Sequence, residues 1–227
     1  MTEFRAWIVL LALPLLVVAL FQWLAPPRHN PFAPIDLTDK PGLGTHAKLE
    51  RARTQREVCF SALDSAGILY TPLEDAPKGE KCGLRNGLTL DRTLTPYSAT
   101  LSMTCAETAA LYTWERHVAR PAAVDILGSP LARIETYGSF SCRNIAGSGR
   151  LSEHAHANAV DISGFRLKDG RLIDVKTHWK QGGPEAKFLK RVHKGGCDIF
   201  SVTLSPDYNA AHRDHFHFDM GSGATCK

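Results

Sequence analysis

Hydrophobic and polar positions divide the chain into an apolar start, a proline-rich stretch, a largely helical middle and a strand-rich remainder. Ala6 to Ala25 is apolar apart from Gln22, with Pro14 interrupting it. Twenty residues at helical rise cover about 30 Å, the depth of a bilayer's hydrocarbon core. A cleaved export signal and a retained anchor both fit this stretch. A cut after Ala19 is open, but Trp23-Leu24-Ala25 ahead of Pro26-Pro27 is a poor cleavage site, which favours an uncleaved membrane anchor over residues 1–25. Residues 26–43 follow, rich in proline and without periodic hydrophobicity, which predicts an extended linker. Globular patterning then predicts a single domain over residues 44–227.

Within that domain, residues 44–66 read as helix, with Gly67 as the C-terminal stop. Residues 68–100 read as short strands and turns punctuated by Gly79, Gly83 and Gly87. The clearest helix is 103–127, where Ala109, Leu111, Trp114 and Val118 follow helical spacing and Gly128 ends the run. Alternation from Leu131 to Tyr137 predicts a strand that runs on to Cys142. Ala159 to Phe165 is a second strand, and Lys168-Asp169-Gly170-Arg171 is a hairpin turn after it. Residues 184–194 are helical, and Ile199–Leu204 and His215–Met220 are the last strands. Helices ahead of a mostly antiparallel sheet make the fold class α+β, with helices packed on the sheet.

Composition narrows the picture. Of 227 residues, 44% are hydrophobic and 22% charged, which is globular. The net charge of +4 comes from dispersed residues, so nucleic acid is not an expected partner. All six cysteines follow the apolar stretch and none forms a C-x-x-C pair, which excludes a zinc ribbon and a thioredoxin-like site. An even number behind an export segment predicts three disulfides in an oxidising space. Proximity along the chain favours the pairs 59–82, 105–142 and 197–226.

Histidine placement points to chemistry. Five of ten histidines fall in Ser152–Asp161 (SEHAHANAVD) and His212–Asp219 (HRDHFHFD). Read as a strand, the second window puts His215, His217 and Asp219 on one face and Phe216 and Phe218 on the other. Asp161 interrupts an otherwise apolar strand, and a buried carboxylate needs a cation, a metal or several donors. Two histidines and one aspartate from separated segments suit a catalytic zinc with a position left for water. A serine nucleophile at Ser152 lacks the G-x-S-x-G setting, so Ser152 is better placed to position the ligand loop, and Asp169-Gly170 lacks the spaced acids of a calcium loop.

The residues Ser152-x-His154-x-x-Ala157-x-Ala159-x-Asp161, followed by Asp214-His215-x-His217, resemble the zinc D-alanyl-D-alanine carboxypeptidases. These belong to the wider lysostaphin-type and hedgehog-like group of murein peptidases. SEHAHANAVDISGF, YGSFSCRN and HRDHFHFD look more closely like the extensin-like C-terminal domain family, over roughly residues 55–227. The resemblance implies a hedgehog/D-Ala-D-Ala peptidase-like zinc cleft in which His154, Asp161 and His217 bind Zn2+. It places Asp214 as general base, His215 as the second catalytic imidazole and Arg143 on the substrate carbonyl or carboxylate. Ser152 and Trp179 are further candidates beside the substrate, although a core or surface position also suits Trp179. Ala157 stands where the family has glycine, and a positive φ there would be strained. His212 and His156 are either groups that orient the ligands or plain surface residues.

Two functions follow as expectations. One is a periplasmic zinc peptidase cutting amide bonds in peptidoglycan stem peptides or cross-links, with Asp214 or His215 as base. The other is a non-catalytic zinc-containing module that binds cell-wall peptides or a partner protein.

Overall fold

The structure, a computed structural model, describes residue 14 and residues 16–77 and 81–227. Residues 1–13 and 15 of the expected anchor lie outside the described residues. Residues 16–24 are helical with exposed apolar side chains, and among the described residues no helix is long and apolar enough to cross a membrane.

The proline-rich stretch does not extend freely. Leu37 is buried in the domain core. Lys48 Nζ donates to Pro27 O at 3.1 Å, and Arg51 donates to the carbonyls of Pro31 and Ala33 at 2.6 and 2.9 Å. Proline-rich backbone is poor in N–H groups but keeps its carbonyls, so a cationic helix face beside it can satisfy them. The expected spacer is therefore docked on the helix that follows it.

Helices α1 (Thr45–Ala52) and α2 (Arg56–Ser65) divide the predicted 44–66 helix in two. Strands β1 (Leu69–Pro72), β2 (Gly87–Arg92) and β3 (Leu101–Thr104) form a small antiparallel sheet in the order β1-β2-β3. Helix α3 (Cys105–Trp114) starts at Thr104, whose side chain accepts from the Glu107 amide. A π-turn, Glu115–Ala119, joins it to α4 (Arg120–Leu127), and Gly128 ends the run with a left-handed φ of 69°.

The larger sheet carries six strands: β4 (Leu131–Gly138), β5 (Ala159–Leu167), β6 (Leu172–Asp174), β7 (Val202–Leu204), β8 (Phe216–Asp219) and β9 (Thr225–Cys226). Their order is β4-β5-β8-β7-β9, with β6 beside β5, and only the β7–β9 pair is parallel. Helices α5 (Val175–His178) and α6 (Gly183–Cys197) lie between β6 and β7 in the chain. The class is α+β with mainly antiparallel sheets, as expected. The strand predicted to run to Cys142 stops at Gly138, where φ of 108° turns the chain out of the sheet.

The core sits between this sheet and the helices. On β8, Phe216 and Phe218 are fully buried. Trp114 meets the Phe218 ring edge-on at 5.2 Å and Phe165 at 6.0 Å, and its indole N–H donates to Val192 O at 2.8 Å. Trp114 thereby ties α3, the sheet and α6 together.

All six cysteines are paired, as Cys59–Cys105, Cys82–Cys142 and Cys197–Cys226. Only the last pair follows proximity along the chain. Cys59 and Cys105 meet because α2 and α3 pack together, and Cys82 and Cys142 because two loops meet beside the sheet. The fully buried Cys59–Cys105 bridge closes a separation of 46 residues, which constrains the unfolded chain by about 4 kcal/mol. Replacing both cysteines with alanine should lower the unfolding free energy by roughly that amount in a denaturant titration. A loss under about 1 kcal/mol would contradict this account.

Candidate metal centre

The site grows from strand register. Asp161 on β5 lies directly opposite His217 on β8, and the same register pairs Val160 with Phe218 and Ile162 with Phe216. Alternation therefore sends the apolar set into the core and Asp161, His217 and Asp219 to the other face, as the sequence pattern predicted. His217 Nδ1 lies 3.0 Å from Asp161 Oδ1.

His154 arrives from outside the sheet. It sits in a short 3-10 turn, Glu153–His156, and its own backbone amide donates to the Ser152 hydroxyl. Ser152 is buried and holds this turn, so its role is to position His154. The turn ends at Ala157, with φ 52° and ψ 29°. This is the left-handed conformation that favours glycine, and an alanine there is strained by about 1–2 kcal/mol.

His154 Nε2 reaches Asp161 Oδ1 at 3.1 Å and His217 Nδ1 at 3.1 Å. His154, Asp161 and His217 are all buried and offer three ligand atoms within one small triangle. A second grouping, His193 with Cys197 and Cys226, is no metal site because the two sulfurs are bonded to each other.

The far nitrogens explain the orientation. His154 Nδ1 donates to Ser139 O at 2.6 Å, and His217 Nε2 donates to Asp219 Oδ2 at 2.8 Å. His215 Nδ1 donates to Asp214 Oδ1 at 2.9 Å, leaving its Nε2 3.5 Å from Asp161 Oδ1. Each neutral ring thus gives its N–H rearward and turns a lone pair toward one carboxylate. Such backing by a carbonyl or carboxylate is what orients metal-binding imidazoles.

Electrostatics agree. Burial would raise the Asp161 carboxyl, but the hydrogen bonds and charges of His154 and His217 outweigh it and hold it well below the ordinary range. Burial would lower His217, but Asp161 and Asp219 lift it to about 9. Without a metal, a proton on His217 fills the gap between lone pairs. Burial, followed by the charges of Asp219, Glu153 and Asp161, pushes the buried Glu107 carboxyl well above its ordinary value. Burial first, then the His217 and His215 charges, lowers His212 to about 4.

A cleft of about 460 Å³ opens over the triangle, lined by Arg143, His154, Asp161, His212, His215 and His217 among others. Arg143 is half exposed, with its guanidinium 3.8 Å from Asp161 Oδ2. The Cys82–Cys142 bridge fixes its neighbour, and its carbonyl accepts from the Ser152 amide at 3.1 Å. Asp214 stands behind His215 and does not line the cleft. Trp179 needs correction as a substrate-side residue. It is buried against Phe216 and His193, with Lys190 Nζ over its ring, on the core side of β8. His156 is exposed and lines a different cavity, with Arg53, Arg85 and Asn86. Sequence reasoning gave no role to Asp219 or to the Ser139 carbonyl. Period-two spacing had put Asp219 on the face of His217 without giving it a task, whereas a backbone carbonyl leaves no sequence signal.

Residues 57–227 match the family described as extensin-like protein C-terminus. A search of curated proteins found no match to the chain.

Two outcomes follow from the geometry. In chelator-treated protein, the Asp161 contribution to stability is present above its ordinary pKa of 3.8 and is lost as pH falls. The His217 contribution is complete below 6.5 and is lost as pH rises through about 9. The melting-temperature gap between wild type and Asp161→Asn should therefore be widest at mildly acidic pH and shrink on the alkaline side. A gap that is flat with pH contradicts the pairing. Ala157→Gly should stay within about 0.5 kcal/mol of wild type, because relief of strain offsets the lost methyl burial and the added chain entropy. Ala159→Gly, in the regular strand β5, should cost more than about 1 kcal/mol in the same titration.

Proposed function

The chain belongs to the extensin-like protein C-terminus family, and from that premise we propose that it is an exported zinc metallopeptidase related to the zinc D-alanyl-D-alanine carboxypeptidases. Its substrates in this reading are amide bonds in peptidoglycan stem peptides or cross-links. One observation carries the proposal: three buried lone pairs converge at separations of 3.0, 3.1 and 3.1 Å. A tetrahedral zinc with bonds of about 2.0–2.1 Å sets its ligand atoms about 3.3 Å apart. Two imidazole nitrogens and a carboxylate oxygen therefore fit zinc in both type and spacing, and the cleft side stays open. The pairing of all six cysteines supports export to an oxidising compartment. Retention at the inner membrane through residues 1–25 is part of the same proposal.

Zinc held by His154, Asp161 and His217 would supply Lewis acidity and a water acidified toward a pKa of about 7. The chain's own groups divide the remaining work. His215 has its Nδ1–H fixed on Asp214, so its Nε2 accepts the proton of the attacking water. Asp214, expected as the base, acts through His215 by holding the tautomer and stabilising the imidazolium. Arg143 has donors free to grip the carbonyl oxygen as negative charge builds there. When the C–N bond breaks, His215 returns its proton to the leaving amine, giving one carboxylic acid and one amine for each water consumed. Asp219 keeps His217 aimed, and losing such a partner costs metal affinity roughly 10–100-fold.

Elemental analysis of the chain produced with its disulfides formed should give one zinc per chain. Asp219→Asn should weaken that binding roughly 10–100-fold, and His217→Ala should abolish it. The zinc-loaded wild type should release peptide fragments from purified peptidoglycan, with Asp214→Asn and His217→Ala inactive. Zinc-loaded protein that binds the polymer and leaves every peptide bond intact would sink the peptidase reading in favour of a binding module.

A further inference from the structure

His212 takes no part in the chemistry assigned above, yet a hydrogen bond to Asn209 fixes the direction of its ring. It closes a short 3-10 turn, Ala210–His212, that begins at Asn209. Asn209 Oδ1 accepts from the Ala211 amide at 2.9 Å and lies 2.8 Å from His212 Nδ1. An atom that accepts from a backbone N–H is the amide oxygen and not the nitrogen. His212 must therefore donate from Nδ1, and its neutral ring carries its lone pair at Nε2. Nε2 has no hydrogen-bond partner among the described residues.

The His212 ring belongs to the wall of the cleft. The His212 ring lies 5.3 Å from the His215 ring and 5.7 Å from the His217 ring, centroid to centroid, and Tyr208 supports it edge-on at 5.5 Å. An amide offers one acceptor, its carbonyl oxygen, and a secondary amide also offers one donor, its N–H. Arg143 can only donate, so it suits the oxygen. His215 Nε2 faces Asp161 and is committed to the water. His212 Nε2 is an oriented acceptor left for the N–H.

We propose that His212 is the specificity-determining residue of this cleft, its Nε2 accepting the N–H of the scissile bond, so that secondary amides are taken and esters and N-alkylated amides are disfavoured; this rests on the peptidase reading. A site built to hydrogen-bond a substrate N–H leaves its own polar group unpaired when that N–H is missing, and rejects the analogue for that reason. One neutral hydrogen bond is worth about 0.5–1.5 kcal/mol, or roughly 2–10-fold in affinity.

The test uses the zinc-loaded full chain and two probes, acetohydroxamate and its N-methyl derivative, which differ by one N–H. Calorimetry gives their affinities for wild type, His212→Phe and His212→Gln, with zinc content measured on each. N-methylation should weaken binding up to about tenfold in wild type and less than about twofold in His212→Phe. His212→Gln, which keeps an acceptor at similar reach, should restore part of the discrimination, and zinc content should be equal in all three. Equal N-methyl penalties in wild type and His212→Phe overturn the proposal. Loss of zinc in His212→Phe also overturns it, by making His212 a ligand. A zinc-loaded wild type that binds neither probe removes the N–H contact while leaving the metal intact. A wild type that takes up no zinc sinks the peptidase reading itself and this proposal with it.

Discussion

The cross-strand pair of Asp161 and His217 is the constraint on which the rest of the site depends. The polar pair does not set its own position. Register between β5 and β8 is set by Val160, Ile162, Phe216 and Phe218, all fully buried. A slip of β8 by one residue would send Phe216 and Phe218 to the cleft and His217 into the core, leaving Asp161 without its partner. Such a slip would forfeit several kcal/mol of apolar burial, since each large side chain is worth roughly 1.5–3. The hydrophobic face of the sheet therefore places Asp161 and His217, and Trp114 at its centre is as much part of the cluster's geometry as any residue near it.

Around this regular pair, the remaining groups come from irregular backbone that needs other means to hold it. His154 depends on the Ser152 cap, the Ser139 carbonyl and a left-handed alanine at 157. Arg143 depends on a disulfide to its neighbour, and His215 and His212 on Asp214 and Asn209. The result is a ring of imidazoles that, in their neutral forms, turn their N–H groups away from the cleft. Lone pairs facing an ionised carboxylate repel one another unless a cation stands between them. In the metal-free chain a proton on His217 serves, which is why that ring is raised to about 9. Metal uptake would displace this proton, coupling affinity to pH.

Features that depend on neighbours along the chain were legible in the amino-acid order. Helical spacing through Ala109, Leu111 and Trp114, the stop at Gly128, the Asp169-Gly170 turn, and the two faces of the His215–Asp219 stretch all appear as read, because period and backbone preference are local properties. An aspartate inside an apolar strand marked Asp161 for the same reason. The positive φ at Ala157, raised only as a strain that the family's glycine would avoid, is present.

Tertiary structure alone decided which distant segments meet. Cys59 pairs with Cys105 across two packed helices, Cys82 with Cys142 across two loops, and neither pairing follows chain distance. Trp179, plausible beside a substrate, lies in the core because α5 puts it against the apolar side of β8. The proline-rich stretch docks because Lys48 and Arg51 supply the donors its backbone lacks. Asp214 stands behind His215 because one hydrogen bond turns it there. Composition and periodicity thus settled which residues could do chemistry and which face of an element they share. Burial of a common core, which no local pattern encodes, settled which of them stand together.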